Sequence, residues 1–171
     1  LFKSKCQVIC GWTNSSLSSP RTQGPRSLQM DHLKPNPSIT EERIRVRYGE
    51  TDQMGHAYYA NYLYWFEQAR GAWCRARGFS YKSLEEMGYF LPVVEVYARY
   101  KGEVKYDDLV VVRVWMSEIK RAAIRFDYEV VNEAIGKLVT EGYTWHVLMG
   151  SKRKAVSIPV AIREMLEREP L

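Results

Sequence analysis

Cysteine is scarce in this chain, with Cys6, Cys10 and Cys74 the only three among 171 residues. That is too few for a disulfide scaffold, and no zinc-type pattern of partners surrounds them. No stretch approaches the roughly 18 consecutive apolar residues of a membrane span, which excludes an integral helical membrane protein. Beyond residue 40 there is no Gly-rich phosphate loop, no internal repeat and no low-complexity tract. Acidic residues are missing from residues 1–29, which carry Lys3, Lys5, Arg21 and Arg26. That local lack produces most of the formal net charge of +5, because the remaining chain has 21 basic residues against 20 acidic ones. Most of the nucleic-acid signal therefore belongs to the N-terminal segment.

The length suits one domain with a tail, and 46% apolar with 26% charged residues is ordinary globular composition. The tail is residues 1–40. It holds Pro20, Pro25, Pro35 and Pro37, four of the seven prolines, and seven serines, without sustained apolar periodicity. Such a segment cannot supply a core and is expected to be a disordered extension. Three origins fit it: a Ser-rich, acid-poor transit peptide, an upstream read-through preceding Met30, or a fragment of a longer protein. Without an apolar run after the lysines, a secretory signal is not expected. The expected location is cytoplasmic, or organellar if the tail is a transit peptide.

Residues 41–171 read as one compact domain. Arg43 to Tyr48 alternates, with Ile44, Val46 and Tyr48 on one face, and predicts a half-buried strand. A turn-like stretch, Gly49 to Gly55, follows. A helix is expected from about Tyr59 to Arg77, ended by Gly78, because Tyr62, Leu63, Phe66, Ala69, Trp73 and Ala76 recur at helical spacing. Tyr64, Trp65 and Ala72 broaden the apolar stripe, so the helix must be largely enclosed. A short helix starts near Ser80 or Ser83, where Ser83 to Glu86 has capping-box form, and ends at Gly88.

Four strands follow. They run through Val94–Lys101, Leu109–Glu118, Ile124–Val130 and Leu138–Met149. The second is apolar on nearly both faces, which marks a central strand. Gly142 interrupts the last and suggests a bulge or bend. Pro159 opens a final helix to about Arg168. One buried helix against one curved antiparallel sheet of about five strands is an α+β architecture.

The candidate chemistry lies between Tyr48 and Tyr62. This stretch joins a strand end to the N-terminus of a buried helix, whose free N–H groups favour developing negative charge. Asp52 stands a few residues before them. A carboxylate beside such a terminus has the parts for acyl transfer. Residue types alone leave a second reading open, in which Asp52 only caps a turn.

Gly49-Glu50-Thr51-Asp52-Gln53-Met54-Gly55-His56, then Tyr59-Ala60-Asn61-Tyr62-Leu63 and Phe66-Glu67-Gln68-Ala69-Arg70, resembles the 4-hydroxybenzoyl-CoA thioesterase-like acyl-CoA thioesterases of the hotdog-fold superfamily. Tyr100 to Asp108 extends the likeness, which spans roughly residues 41–160. The resemblance implies a hotdog fold and acyl-CoA thioester hydrolysis. It implies that Asp52 is the catalytic carboxylate and that the backbone N–H of Tyr59 polarises the thioester carbonyl. Asp52 would act as general base or as nucleophile. Many relatives have histidine where this chain has Tyr59, which leaves the backbone donor in place. Glu103-Val104 stands where the family usually has Pro-Ala.

Other residues expected to bind substrate are Gly55, His56 and Tyr62 near Asp52, and the basic run Lys152, Arg153 and Lys154, which suits CoA phosphates or else is a solvated turn. Glu67 lies on the long helix, where some hotdog thioesterases carry their catalytic carboxylate, but reads better as an ion-pair partner of Arg70 or of the neighbours of Gly71 at helical spacing. His146 and Cys74 read as structural. No cofactor and no metal is expected, since His56 and His146 are not spaced as ligands. The expected substrate is a small aromatic or short- to medium-chain acyl-CoA, with an acyl carrier protein thioester possible.

The competing readings are a non-catalytic acyl-CoA-binding hotdog module, a hydratase, or nucleic-acid binding through Tyr97, Trp115, Tyr143 and Trp145. Asp52 argues against the module, the lack of a hydratase-type histidine against the second, and the near-neutral domain against the third. No membrane partner is expected. Unpaired sheet edges and the resemblance together imply a homodimer or homotetramer.

Overall fold

The computed structural model describes the backbone of residues 5–10 and all of residues 39–171. The first strand, β1, is Lys5–Cys10 and the second, β2, is Thr40–Arg45. A 3₁₀ turn at Tyr48–Glu50 leads towards α1, Asn61–Ala76, and α2, Tyr81–Glu86. Then come β3, Val93–Tyr100, β4, Leu109–Ile119, β5, Ala123–Asn132, and β6, Lys137–Val147, with α3, Val160–Glu167, last. The sheet order is β1-β3-β6-β5-β4-β2, antiparallel throughout except for the parallel pairing of β1 on β3.

The helix α1 forms where apolar residues recur at three and four, and it buries Tyr62, Trp65, Phe66, Ala69, Trp73 and Cys74. It lies across the middle of the sheet. Phe66 stacks on Tyr128 of β5 with ring centroids 4.3 Å apart, and Trp73 meets Phe126 edge-on at 5.0 Å. Strand β5 shows the pattern such cover demands: Ile124, Phe126, Tyr128 and Val130 are all buried, in strict alternation. Gly78, at φ +80°, ends the helix as expected. Strand β4 is interior, between β5 and β2, with Val110, Val111, Val112 and Val114 all buried. Pro159 occupies the N-cap of α3, which buries Ile162 and Leu166.

Several expectations need correction. Residues 1–40 were expected to be a disordered extension; of these the structure describes β1, and β2 begins at Thr40. The sequence Cys6-Gln7-Val8-Ile9-Cys10 has good strand propensity, and the outer edge of β3 offers a ladder for it to join. The remainder of that segment falls outside the described residues.

Tyr48 does not share a buried face with Ile44 and Val46: it is 78% exposed, whereas Val46 is fully buried. The chain leaves the strand after Arg45 and turns into the 3₁₀ element at Tyr48, so the alternation does not carry through to Tyr48. The cap of α2 is Ser80, whose hydroxyl accepts from the Ser83 N–H at 3.1 Å, rather than a Ser83–Glu86 box. Gly142 is not a bulge. It pairs in register with Ala98 and Tyr128, and the register shifts fall elsewhere. Its role is the close approach of Phe66, described below.

Candidate active site

The segment between Val46 and α1 is held by backbone bonds to its surroundings. The Glu50 carboxylate is buried, and the Arg47 guanidinium (2.8 Å), the Arg47 N–H (2.8 Å) and the Trp65 indole (3.3 Å) donate to it. Burial alone would raise its pKa; these donors outweigh burial and hold it below the usual carboxylate range. The Glu50 carbonyl in turn accepts from the Tyr58 N–H at 2.8 Å and from Asn61 Nδ2 at 2.7 Å. One residue thus fixes both the loop that follows it and the first residue of α1.

Between these two anchor points the chain makes a tight loop. The Asp52 N–H donates to the His56 carbonyl, and the Gly55 N–H donates back to the Asp52 carbonyl, both at 3.0 Å. Gly55 sits at φ +80°, a conformation that favours glycine, which accounts for its place in the motif. The Met54 N–H donates to Asp52 Oδ1 at 2.8 Å, leaving Oδ2 towards the His56 ring, 3.8 Å from Nδ1. The carboxylate is therefore oriented by backbone on one oxygen and available on the other.

Next to this loop the chain begins to coil before α1 proper. The Asn61 N–H donates to the Tyr58 carbonyl at 2.9 Å. Among the described residues, the N–H groups of Tyr59 and Ala60 have no acceptor. They point from the positive end of a 16-residue helix. Tyr59 thus stands two residues before Asn61, outside the helix but within its first turn of free donors. The Tyr100 hydroxyl donates to the Tyr59 carbonyl at 2.9 Å and fixes that peptide.

Asp52, His56, Tyr59 and Tyr62 line one cavity of about 470 Å³, together with Met54, Ala57, Tyr100, Gly102 and Glu103. Tyr62 is its buried floor, edge-on to Tyr100 with ring centroids 5.1 Å apart, and burial raises its phenol pKa. A carboxylate and an acceptor-free backbone donor on two residues lining one aromatic-walled cavity, Asp52 and Tyr59, have the parts to activate a nucleophile and stabilise an oxyanion. Among the described residues no group of His, Cys, Asp and Glu could hold a metal ion.

The expected site residues do not all converge. Gly55 shapes the loop but does not line the cavity. Lys152, Arg153 and Lys154 lie on an exposed turn after β6, and Arg153 stacks over Phe90 at 3.6 Å; none of the three lines the cavity. Glu67 makes no ion pair with Arg70. Arg70 is buried and donates instead to the hydroxyls of Tyr81 and of Tyr128, the latter at 3.1 Å. Helical spacing brings Glu67 and Arg70 to one face, but Arg70 turns inward beneath α1 while Glu67 stays exposed. His146 is structural, fully buried between the Leu91 carbonyl and Thr144. Cys74 is also buried, and burial pushes its thiol up to about 11, which keeps it unreactive.

Sequence reasoning passed over Asn61 and Tyr100 as positioning groups and Glu103 as a cavity residue. All three fell within the quoted segments. Only folding reveals that Asn61 reaches back eleven residues to Glu50 and that Tyr100 reaches back to Tyr59 across the fold.

A single long helix wrapped by a curved antiparallel sheet, with a carboxylate at the helix start, defines the hotdog class. The family model described as the thioesterase-like superfamily matches residues 46–166. The chain belongs to that superfamily of hotdog thioester hydrolases. It is 35% identical over 125 residues to a protein of Aquifex aeolicus provisionally named an esterase, covering 73% of this chain and 95% of that one. It is 36% identical over 93 residues to the acyl-CoA thioesterase YbgC of Haemophilus influenzae, covering 54% of this chain and 68% of the relative. Among solved structures, a DHNA-CoA thioesterase from Staphylococcus aureus matches with a TM-score of 0.67 and 34% identity, over 70% of this chain and 80% of that one.

Proposed function

We propose that this chain hydrolyses the thioester of a small aromatic or short- to medium-chain acyl-CoA, with Asp52 as the catalytic carboxylate. The observation that carries this reading is the shared cavity. Asp52 and Tyr59, whose N–H has no acceptor among the described residues, line one space beside the positive end of α1, which supports this reading. The thioester carbonyl oxygen would lie against the Tyr59 N–H, where the tetrahedral oxyanion gains most from fixed donors. Asp52 would either take a proton from an attacking water or attack the carbonyl carbon itself. In both routes CoA leaves as the thiolate and water supplies the oxygen of the released acid. His56, 3.8 Å from Asp52, is placed to orient the carboxylate or the water. The thioesterase names carried by the relatives support the substrate class, and the aromatic wall formed by Tyr59, Tyr62 and Tyr100 supports a small acyl or aroyl group.

The basic turn Lys152–Lys154 would meet CoA phosphates only where the thioester extends well beyond the cavity, as in a site completed by a second copy of the chain. Edge-to-edge pairing into a dimer, or two such dimers, is the assembly that fits this. Light scattering reads it directly, and an active species at monomer mass would exclude a shared site.

The decisive experiment is thiol release from a panel of acyl-CoA esters by the wild-type chain and by Asp52→Asn. We expect the variant to lose at least about a hundredfold in kcat with little change in melting temperature. Activity within a few-fold of wild type would remove Asp52 from this role. Binding without turnover by the wild type would favour the non-catalytic module instead.

A further inference from the structure

The charge balance of the cavity points to the kind of acyl group it admits. Its lining includes two carboxylates, Asp52 and Glu103, and no lysine or arginine. The closest cations along the chain do not offset them. Lys101 is bound to Glu141 at 2.5 Å, away from the lining, and Lys105 is exposed and outside it. His56 is the one lining group able to become cationic, and it faces Asp52. The remaining walls are Met54, Ala57, Gly102 and three tyrosines.

The position of Glu103 is independent of the proposed chemistry. It lies beyond β3, on the connection to β4, and lines the same cavity as Asp52. That connection is anchored next door: Val104 is fully buried and its carbonyl accepts from the Ala57 N–H at 2.7 Å. The Glu103 backbone is thereby held against the Asp52 loop. Glu103 and the buried Tyr62 line the same cavity. Among the described residues, no hydrogen bond and no ion pair neutralises Glu103. Asp52 accounts for hydrolysis; a second carboxylate in the same lining is superfluous for it.

We infer that Glu103 is a specificity-determining residue that excludes acyl groups carrying a carboxylate and admits neutral or cationic ones. The inference rests on the thioesterase reading, because it takes the cavity to hold the acyl arm. An acyl carboxylate entering beside Tyr62 would meet Glu103 and Asp52 together, with no lysine or arginine among the described lining residues to pair with. A like charge at such range, partly screened because Glu103 is exposed, is expected to cost on the order of tenfold in kcat/KM. A trimethylammonium group would meet the same carboxylates and tyrosine faces favourably.

The test uses three CoA thioesters of similar length: hexanoyl, adipoyl and 4-trimethylammoniobutyryl. For the wild type, kcat/KM for adipoyl should fall about tenfold below hexanoyl, and the gap should narrow with added salt. Each variant is compared with its own hexanoyl rate. Glu103→Gln should shrink the adipoyl penalty several-fold, and Glu103→Lys should abolish it while penalising the cationic substrate. Equal adipoyl and hexanoyl rates in the wild type, or a ratio unmoved by Glu103→Lys, would overturn the inference. Failure to hydrolyse any of the three, with no turnover of the aromatic benzoyl-CoA either, would instead overturn the thioesterase reading. In that case the affinities of S-hexyl-CoA and S-(5-carboxypentyl)-CoA, measured by calorimetry, read the same discrimination without turnover. Equal affinities would then dispose of Glu103 as a selector.

Discussion

Asn61 Nδ2 donates to the Glu50 carbonyl at 2.7 Å, which ties the first residue of α1 to the residue two places before Asp52. The same carbonyl accepts the Tyr58 N–H, so loop and helix start share one acceptor. Asn61→Asp keeps the shape and replaces the donor with an acceptor facing a carbonyl, at a cost of about 1–3 kcal/mol. If this strut sets the distance between Asp52 and the Tyr59 N–H, kcat should drop about tenfold while KM moves little. A fall in melting temperature with kcat intact would make the contact purely structural.

His146 gives the fold an acid-sensitive element. Arg70 Nη1 donates to the Tyr128 hydroxyl, Tyr128 is 2.8 Å from Thr144 Oγ1, and Thr144 is 2.9 Å from His146 Nε2. The Leu91 carbonyl, 3.1 Å from Nδ1, can only accept, so Nδ1 carries the proton and Nε2 accepts from Thr144. The ring is neutral. Burial, and then the Arg70 charge, depress its pKa from 6.5 to about 3. Between those values the unfolded chain binds a proton that the folded chain does not, so stability is fully present above pH 6.5 and declines as pH falls towards 3. The slope from this group is about 1.4 kcal/mol per pH unit well below pH 6.5. Denaturant melts of wild type and His146→Gln at pH 5.0 and 7.5 should show the wild type losing more. Parallel losses would show that His146 titrates normally.

That network also shows where the sequence was readable and where it was not. The helix α1 was legible because Tyr62, Phe66, Ala69 and Trp73 repeat with its period, and β5 because Ile124 to Val130 alternates. The Asp52 loop was legible because its residues are contiguous and Gly55 marks the turn. The chain from Arg70 through Tyr128 and Thr144 to His146 joins α1, β5 and β6, and no local spacing encodes it. Local reasoning therefore paired Arg70 with Glu67, its surface neighbour. Tyr48 failed for the opposite reason: the alternation from Ile44 continues in the sequence after the strand has ended.

Lys152 and Lys154 offer a test of where CoA lies. Both are exposed and neither lines the cavity, while Arg153 is committed to stacking on Phe90. If their turn meets CoA phosphates, replacing both lysines with alanine should raise KM about three- to tenfold, leave kcat alone and lose its effect at high salt. The thioester of N-acetylcysteamine, which lacks the phosphates, should show no change. An equal KM increase for both substrates would place the effect elsewhere.

Gly142 sits in the centre of the sheet, in register with Ala98 on β3 and Tyr128 on β5. A Cβ there would strike the Tyr97 carbonyl and come within 2.9 Å of the Phe66 ring, so α1 reaches the sheet only because the residue has no side chain. Phe66 cannot yield freely, being fully buried and stacked on Tyr128. The Tyr97 carbonyl belongs to the β3 backbone, so relief there means moving the strand. Gly142→Ala should therefore destabilise by about 1–3 kcal/mol, the usual range for overpacking a tight core. Adding Phe66→Leu frees space on the helix side only. The double variant should recover little beyond the cost of Phe66→Leu alone, because the clash with β3 persists. Urea melts of the two single variants and the double variant supply the cycle. A Gly142→Ala midpoint equal to wild type would mean that helix and sheet are not in the close contact described. Full rescue by Phe66→Leu would place the whole constraint on the helix and none on β3.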